Sequence, residues 1–226
     1  RPAGDRRAAD IGSGYREIAT YRRRQHPRLV GLRHLDREVA VVLRERGLDE
    51  KLPQALRQTP CGKQRSQAPK GQLGLDSYRY SLAFLGYAAG AAAYKTPAYR
   101  EVSARLIDDT IRRMIRKEVW DFISNYWKKN PNFPDPVAYE NIMYSGHLMQ
   151  LIALYESITG DMKYSTAGWD FVWDEKTKIH YDADKLMKAV YDQILDDERG
   201  GVPCEPNTIF IICNDHPHVA FHLYDA

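Results

Sequence analysis

Apolar residues recur along this chain at helical spacing, and two kinds of helical segment take turns. Leu75 to Tyr94 is apolar nearly all round, with Gly86, Gly90 and a run of alanines that let a neighbouring helix come close. That pattern predicts a buried helix. Ala98 to Lys117 is amphipathic instead: Val102, Leu106, Thr110 and Met114 line one face, while Glu101/Arg105, Asp108/Arg112 and Asp109/Arg113 pair four residues apart on the other. The alternation then repeats, with Glu140 to Ile158 apolar on most sides and Asp184 to Leu195 turning Lys185, Lys188, Asp192 and Asp196 outward. Further upstream, Arg33 to Arg46 has helical spacing through Leu35, Val39, Val42 and Leu43.

A weak internal period supports paired helices. Tyr94-Lys-Thr-Pro-Ala-Tyr99 and Ile158-Thr-Gly-Asp-Met-Lys-Tyr164 both close an apolar helix with a tight turn and place a tyrosine 65 residues apart; Tyr155-Glu156 and Tyr224-Asp225 stand 69 apart. Hairpins of an inner and an outer helix build a toroid of two concentric layers, so the expected fold is all-α, an α/α barrel. About six hairpins close such a ring, roughly 400 residues at this period. The chain is therefore expected to be the first part of a longer domain, with its last inner helix left partly uncovered.

Charge divides the chain. Residues 1–70 hold 17 Lys and Arg against 8 Asp and Glu, whereas residues 71–226 hold 16 against 22. The first part has only two aromatics, Tyr15 and Tyr21, and includes coil-favouring stretches such as Thr59 to Gly71. This places a boundary near Lys70, between a basic N-terminal segment and a helical domain over 71–226. With no aromatics between its arginines to stack bases, the segment reads as a solvated arm, and nucleic acid is disfavoured as a partner.

The whole chain is 226 residues and 43% hydrophobic, enough for a sizeable core. It has no run of eighteen apolar residues and no apolar stretch after its first arginines, so neither a membrane span nor a signal peptide is expected. Cys61, Cys204 and Cys213 are too few for a disulfide framework and form no CxxC pair. Free thiols in a reducing compartment follow, with a cytoplasmic location favoured.

Candidate chemistry gathers in two stretches. On a helix beginning near Glu140, Met143, His147, Leu151 and Leu154 share a stripe, which puts His147 on an apolar face. A histidine there is either a hydrogen-bonded core residue or a proton carrier, and Gly146 beside it is expected to leave space for a pocket. Cys204-Glu205-Pro206 reads as the start of a helix whose dipole acts on the Cys204 thiol. Cys213 lies nine residues on, with Ile209 and Phe210 expected to keep it dry; a buried cysteine is as readily an inert small hydrophobe. Asp215, His216 and His218 form a weak metal-like pattern, no metal site is expected, and Pro217 is expected to end or kink the helix there. Tyr80 can bring a phenol to the same cavity.

Arg79-Tyr80-Ser-Leu-Ala-Phe84, Val119-Trp120, Glu140-Asn-Ile-Met-Tyr-Ser-Gly-His147-Leu, Ile158-Thr-Gly160, Cys204-Glu-Pro with Cys213-Asn214 seven residues later, and Leu223-Tyr-Asp225 together resemble the linalool dehydratase/isomerase family over about residues 72–226. The resemblance implies a cofactor-free lyase and isomerase on an α/α barrel that assembles into a ring of subunits. It acts on hydrophobic alcohols, dehydrating tertiary linalool to a triene or isomerising it to a primary allylic alcohol. Carried over, it makes Cys204, Cys213, His147 and Tyr80 the catalytic proton network, Met143 and Phe210 the walls of the hydrocarbon cavity, and Glu205 a neighbour of the substrate. The family also uses an aspartate and a tyrosine from its N-terminal region across the subunit interface, for which residues 1–71 offer no counterpart. A cysteine that the family can place for a disulfide is Arg116 in this chain.

Two other classes remain open from the residues. A sugar-processing α/α toroid needs two carboxylates facing one cavity, for which Glu140 and Glu205 are the pair at equivalent loop positions. A non-catalytic interaction module is the other.

Overall fold

A computed structural model describes residues 78–127 and 130–225 of the chain. The basic segment 1–70, its helix over Arg33 to Arg46, the boundary near Lys70 and Cys61 lie outside them. The described part is mostly helical. In chain order it runs α1 (Tyr78–Lys95), α2 (Arg100–Met114), the single turns α3 (Lys117–Trp120) and α4 (Ile123–Tyr126), α5 (Ile142–Thr159), α6 (Lys163–Thr166), a hairpin of β1 (Trp169–Val172) and β2 (Lys178–Tyr181), α7 (Ala183–Asp196) and α8 (Ile211–Asp225).

Helix α5 is the axis of the domain, and α1, α2, α7 and α8 all rest against it. Its sequence has almost no polar face, and Ile142 through Met149 are all buried. The small residues of α1 do what their size predicts: a Cβ on Gly86 would sit 2.3 Å from Leu151 Cδ2, and one on Gly90 the same distance from Leu154 Cδ2. Helix α2 is amphipathic as expected, burying Leu106, Ile107, Ile111 and Met114 while Arg105–Glu101 and Arg112–Asp108 pair on its outer side. Helix α7 opens on Asp182, whose side chain accepts from the Lys185 amide as an N-cap. Gly160, at φ 67°, closes α5 in the left-handed conformation that glycine adopts without a Cβ clash.

Three local expectations are corrected. The purely helical reading misses the β1–β2 hairpin, paired antiparallel from Trp169↔Tyr181 to Val172↔Lys178. Its signal is the period of two in Trp-Asp-Phe-Val, which buries Trp169 and Phe171 and turns Asp170 and Val172 outward. Pro217 does not end α8, which continues to Asp225. The start expected at Cys204-Glu205-Pro206 is a tight turn: Thr208 N–H donates to Glu205 O, Pro206 holds the second position and Asn207 the third at φ 63°, and α8 begins only at Ile211. No helix among the described residues is long and apolar enough to cross a membrane.

Helix α8 buries one side and exposes the other. The stripe Asn214, Pro217, Ala220 and Tyr224 of α8 is buried, whereas Ile211 is 78% and Ile212 64% exposed.

Candidate functional site

The site forms where the N-terminal halves of α1, α5 and α8 meet the loop before α8. Two consecutive left-handed residues, Glu140 (φ 52°) and Asn141 (φ 64°), turn the chain into α5. Non-glycine residues hold this conformation only where neighbours over-determine it. Here Asn141 Nδ2 donates to Pro136 O (2.8 Å), Glu140 N–H to Gln193 Oε1 (2.7 Å), and Trp127 Nε1 to Glu140 Oε2 (2.7 Å). The first amide of α5, at Ile142, then donates to Pro203 O (3.2 Å), tying the helix to the residue before Cys204.

Asn214 fixes the other side. Its amide pairs with both backbone groups of Val202, accepting from N–H at 2.8 Å and donating to C=O at 3.0 Å. One residue before it, Cys213 is thereby held in register with the loop that carries Cys204. The Cys204 thiol neighbours that of Cys213 and donates to Thr208 O (3.3 Å), and both thiols are free. Burial first, then the neighbouring Cys204, pushes the Cys213 thiol up to about 12, so it keeps its proton. The helix dipole expected to act on Cys204 is not available to it, since α8 starts seven residues later.

On α5, His147 is buried and its Nδ1 lies 2.7 Å from the Tyr87 hydroxyl. Desolvation, the His216 ring and the Arg79 charge together lower its pKa to about 3, which keeps the imidazole neutral. Burial raises the Tyr87 phenol, so it retains its proton. With that phenol as donor, Nδ1 is the acceptor and the ring hydrogen sits on Nε2. The Tyr80 ring stands edge-on to His147 with centroids 5.4 Å apart, and Phe84 does the same at 6.0 Å. His216, weighed from sequence as a metal ligand, lays its ring 3.9 Å from that of His147 and hydrogen-bonds Gln150 Oε1 (2.7 Å). No group of side chains able to hold a metal ion occurs among the described residues.

The space expected beside Gly146 is filled by protein. A Cβ there would meet Pro217 Cδ at 3.0 Å, Cys213 O at 3.3 Å and His216 Cβ at 3.4 Å. Gly146 is where α8 crosses α5, and Pro217, which has no N–H to offer the Cys213 carbonyl, supplies the other half of the contact.

Tyr80, Met143 and His147 thus meet at one seam, while Cys204 and Cys213 neighbour each other where the loop enters α8, one turn before the His216 that packs on His147. Tyr80 Oη reaches Met143 Sδ at 3.1 Å. Phe210 is 54% exposed and Glu205 is also exposed, so neither is enclosed with the thiols, although Glu205 acts on Cys213 through its charge. Glu140 is engaged by the Trp127 indole. The sequence reading passed over Arg79 and Tyr87. Both carry a visible signal: Arg79 is the one charged residue of α1 before its terminal lysine, and Tyr80, Phe84 and Tyr87 repeat at helical spacing.

Residues 79–226, well over half of the chain, match the family model described as linalool dehydratase/isomerase, and the matched region contains every side chain of this seam. This chain belongs to the linalool dehydratase/isomerase family.

Proposed function

We propose that the protein is a cofactor-independent dehydratase/isomerase acting on an isoprenoid or other allylic alcohol by general acid and base catalysis. The observation that carries this reading is the protonated Cys213 thiol next to Cys204, one turn from the His216 ring that lies against a neutral imidazole at an aromatic seam. Breaking the allylic C–O bond sends its electron pair to oxygen, which becomes hydroxide-like; the conjugate acid of hydroxide has a pKa of ~15.7. A thiol near 12 can protonate that oxygen downhill as the bond lengthens, whereas it cannot protonate the resting alcohol. Water then leaves and an allylic cation remains. A proton on the carbon beside that cation is strongly acidic, so even an imidazole with a pKa near 3 accepts it, giving the diene and completing loss of water. In the isomerisation, water adds to the far carbon of the allyl system instead and gives its extra proton to the imidazole, leaving the transposed alcohol. Passage of the proton from imidazole back to the thiol, with Tyr80 within the network, resets the site.

In this reading Cys204, Cys213, His147 and Tyr80 carry protons, Met143 and Phe210 shape the hydrocarbon cavity, and Glu205 stands at its mouth. The helices described form part of an α/α barrel, and the full-length protein assembles as a homo-oligomer. The sugar-processing alternative is weakened by Glu140, whose carboxylate is taken by Trp127.

The test is incubation of the full-length protein with a panel of isoprenoid alcohols, followed by gas chromatography. Diene or transposed alcohol that vanishes in Cys204→Ala is expected; equal product from both proteins, or none from any alcohol, overturns the proposal.

A further inference from the structure

Arg79 is the charge that the proton chemistry leaves unexplained. Its side chain comes from the first turn of α1, is only 4% exposed, and leaves Nε and Nη1 without a hydrogen-bond partner. Among the described residues no ion pair includes it. A guanidinium keeps its charge at every physiological pH, and a buried cation without a counter-ion is strongly unfavourable. The ring faces of Phe122 at 4.3 Å and Tyr80 at 4.6 Å offset part of that cost through their quadrupoles, and the Tyr80 hydroxyl accepts only a long, neutral bond from Nη2, so no anionic acceptor is supplied.

Two donors converge on a single poor acceptor. Arg79 Nη2 lies 2.6 Å and Tyr80 Oη 3.1 Å from Met143 Sδ, and Arg79 Nη2 also donates a long bond to Tyr80 Oη at 3.4 Å. A thioether accepts hydrogen bonds weakly, whereas a carboxylate oxygen in the same place would take a charge-assisted bond from one donor and a phenolic bond from the other. Methionine, with three rotatable bonds, is the apolar side chain that yields such a place most easily. The Tyr80 ring also abuts His147, which sets this point beside the proposed proton carriers. An unneutralised Arg79 would oppose any allylic cation formed there, and a bound carboxylate removes that opposition.

We infer that the site binds a carboxylate: its ligand is an apolar acid whose hydrocarbon lies along the aromatic seam and whose carboxylate oxygen displaces Met143 Sδ to accept from Arg79 Nη2 and Tyr80 Oη. This deepens, and for the substrate class rests on, the dehydratase/isomerase reading: the substrate is an allylic hydroxy acid, anchored at Arg79 with its hydroxyl toward the thiols.

Geranic acid and geraniol share a carbon skeleton and differ in ending in a carboxylate or an alcohol. Titrating each into the full-length protein by calorimetry at neutral pH should show the acid binding about 10- to 100-fold tighter. In Arg79→Met that preference should vanish while geraniol binds as before. Should Arg79→Met fail to fold, Tyr80→Phe is expected to reduce the preference several-fold and Arg79→Lys to retain part of it. Equal binding of the two ligands by the native protein overturns the inference and indicates that the arginine is neutralised from within the protein or by a second copy. An acid preference that survives every variant also overturns it. Binding is read without turnover, so an acid preference in a protein that converts no alcohol removes the dehydratase reading and leaves the carboxylate site standing.

Discussion

His147 shows how far a residue's surroundings set its chemistry. Burial, the adjacent His216 ring and the Arg79 guanidinium all disfavour its charged form, taking the pKa from 6.5 to about 3. The folded protein therefore binds one proton fewer than the unfolded chain between those two values. Stability from this group is fully present above pH 6.5 and is lost as pH falls toward 3, by roughly 1.4 kcal/mol per unit. Between pH 7 and 4.5 the loss is about 3 kcal/mol. Urea unfolding at both pH values should show that the native protein loses about this much more than His147→Gln, which keeps an acceptor for Tyr87 but cannot be protonated. A pH response identical in the two proteins would mean that the imidazole is charged in the fold. The sequence made the apolar stripe through His147 legible, but the neutralising partners were not: His216 and Arg79 lie 69 and 68 residues away in opposite directions, and only packing brings them together.

At the scale of elements, the site depends on how closely α8 crosses α5. Gly146 faces the Pro217 ring and the Cys213 carbonyl, neither of which can rotate aside as a long side chain does. Gly146→Ala should therefore push the helices apart. The overpacking cost of about 1–3 kcal/mol outweighs the roughly 1 kcal/mol that alanine gains by helix propensity, so urea unfolding should show a net destabilisation of about 1 kcal/mol. Turnover should fall further than stability, by about tenfold or more, because Cys213 and His147 ride on the two helices being separated. A variant as stable and as active as the native protein would show that the seam tolerates slack. The helices and their buried faces were readable because apolar periodicity is a local property. The crossing was not: in isolation glycine read as room for a pocket, and proline as the end or a kink of the helix, of which the end does not occur. The Cys204 turn was misread in the same way, since Pro206 suits the first position of a helix as well as the second position of a turn; the choice falls to Asn207, which accepts the positive φ, and to the Thr208 pairing that closes the loop.

Across the whole molecule, stability is unevenly shared, and the site sits where it changes. Helix α5 is covered by four other helices, whereas α8 touches the domain along one stripe and turns Ile211 and Ile212 to solvent. Opening α8 breaks the contacts of that stripe, the Asn214–Val202 amide pair, the His216–Gln150 and Tyr224–Glu156 hydrogen bonds and the thiol contact but leaves the other helices on α5, so it is expected to occur without global unfolding. Hydrogen exchange followed by mass spectrometry should find α8 amides exchanging at least about tenfold faster than those of α5, with α1 between them. A ligand seated at the seam bridges α1, α5 and α8, and it can bind tightly only to the closed arrangement. Saturating geranic acid should therefore slow exchange in α8 and the first half of α1 while leaving the β1–β2 hairpin, which contributes nothing to the site, unchanged. Exchange of α8 at the same rate as α5 without ligand would show one cooperative unit. Protection confined to the hairpin would place the binding site elsewhere in the domain.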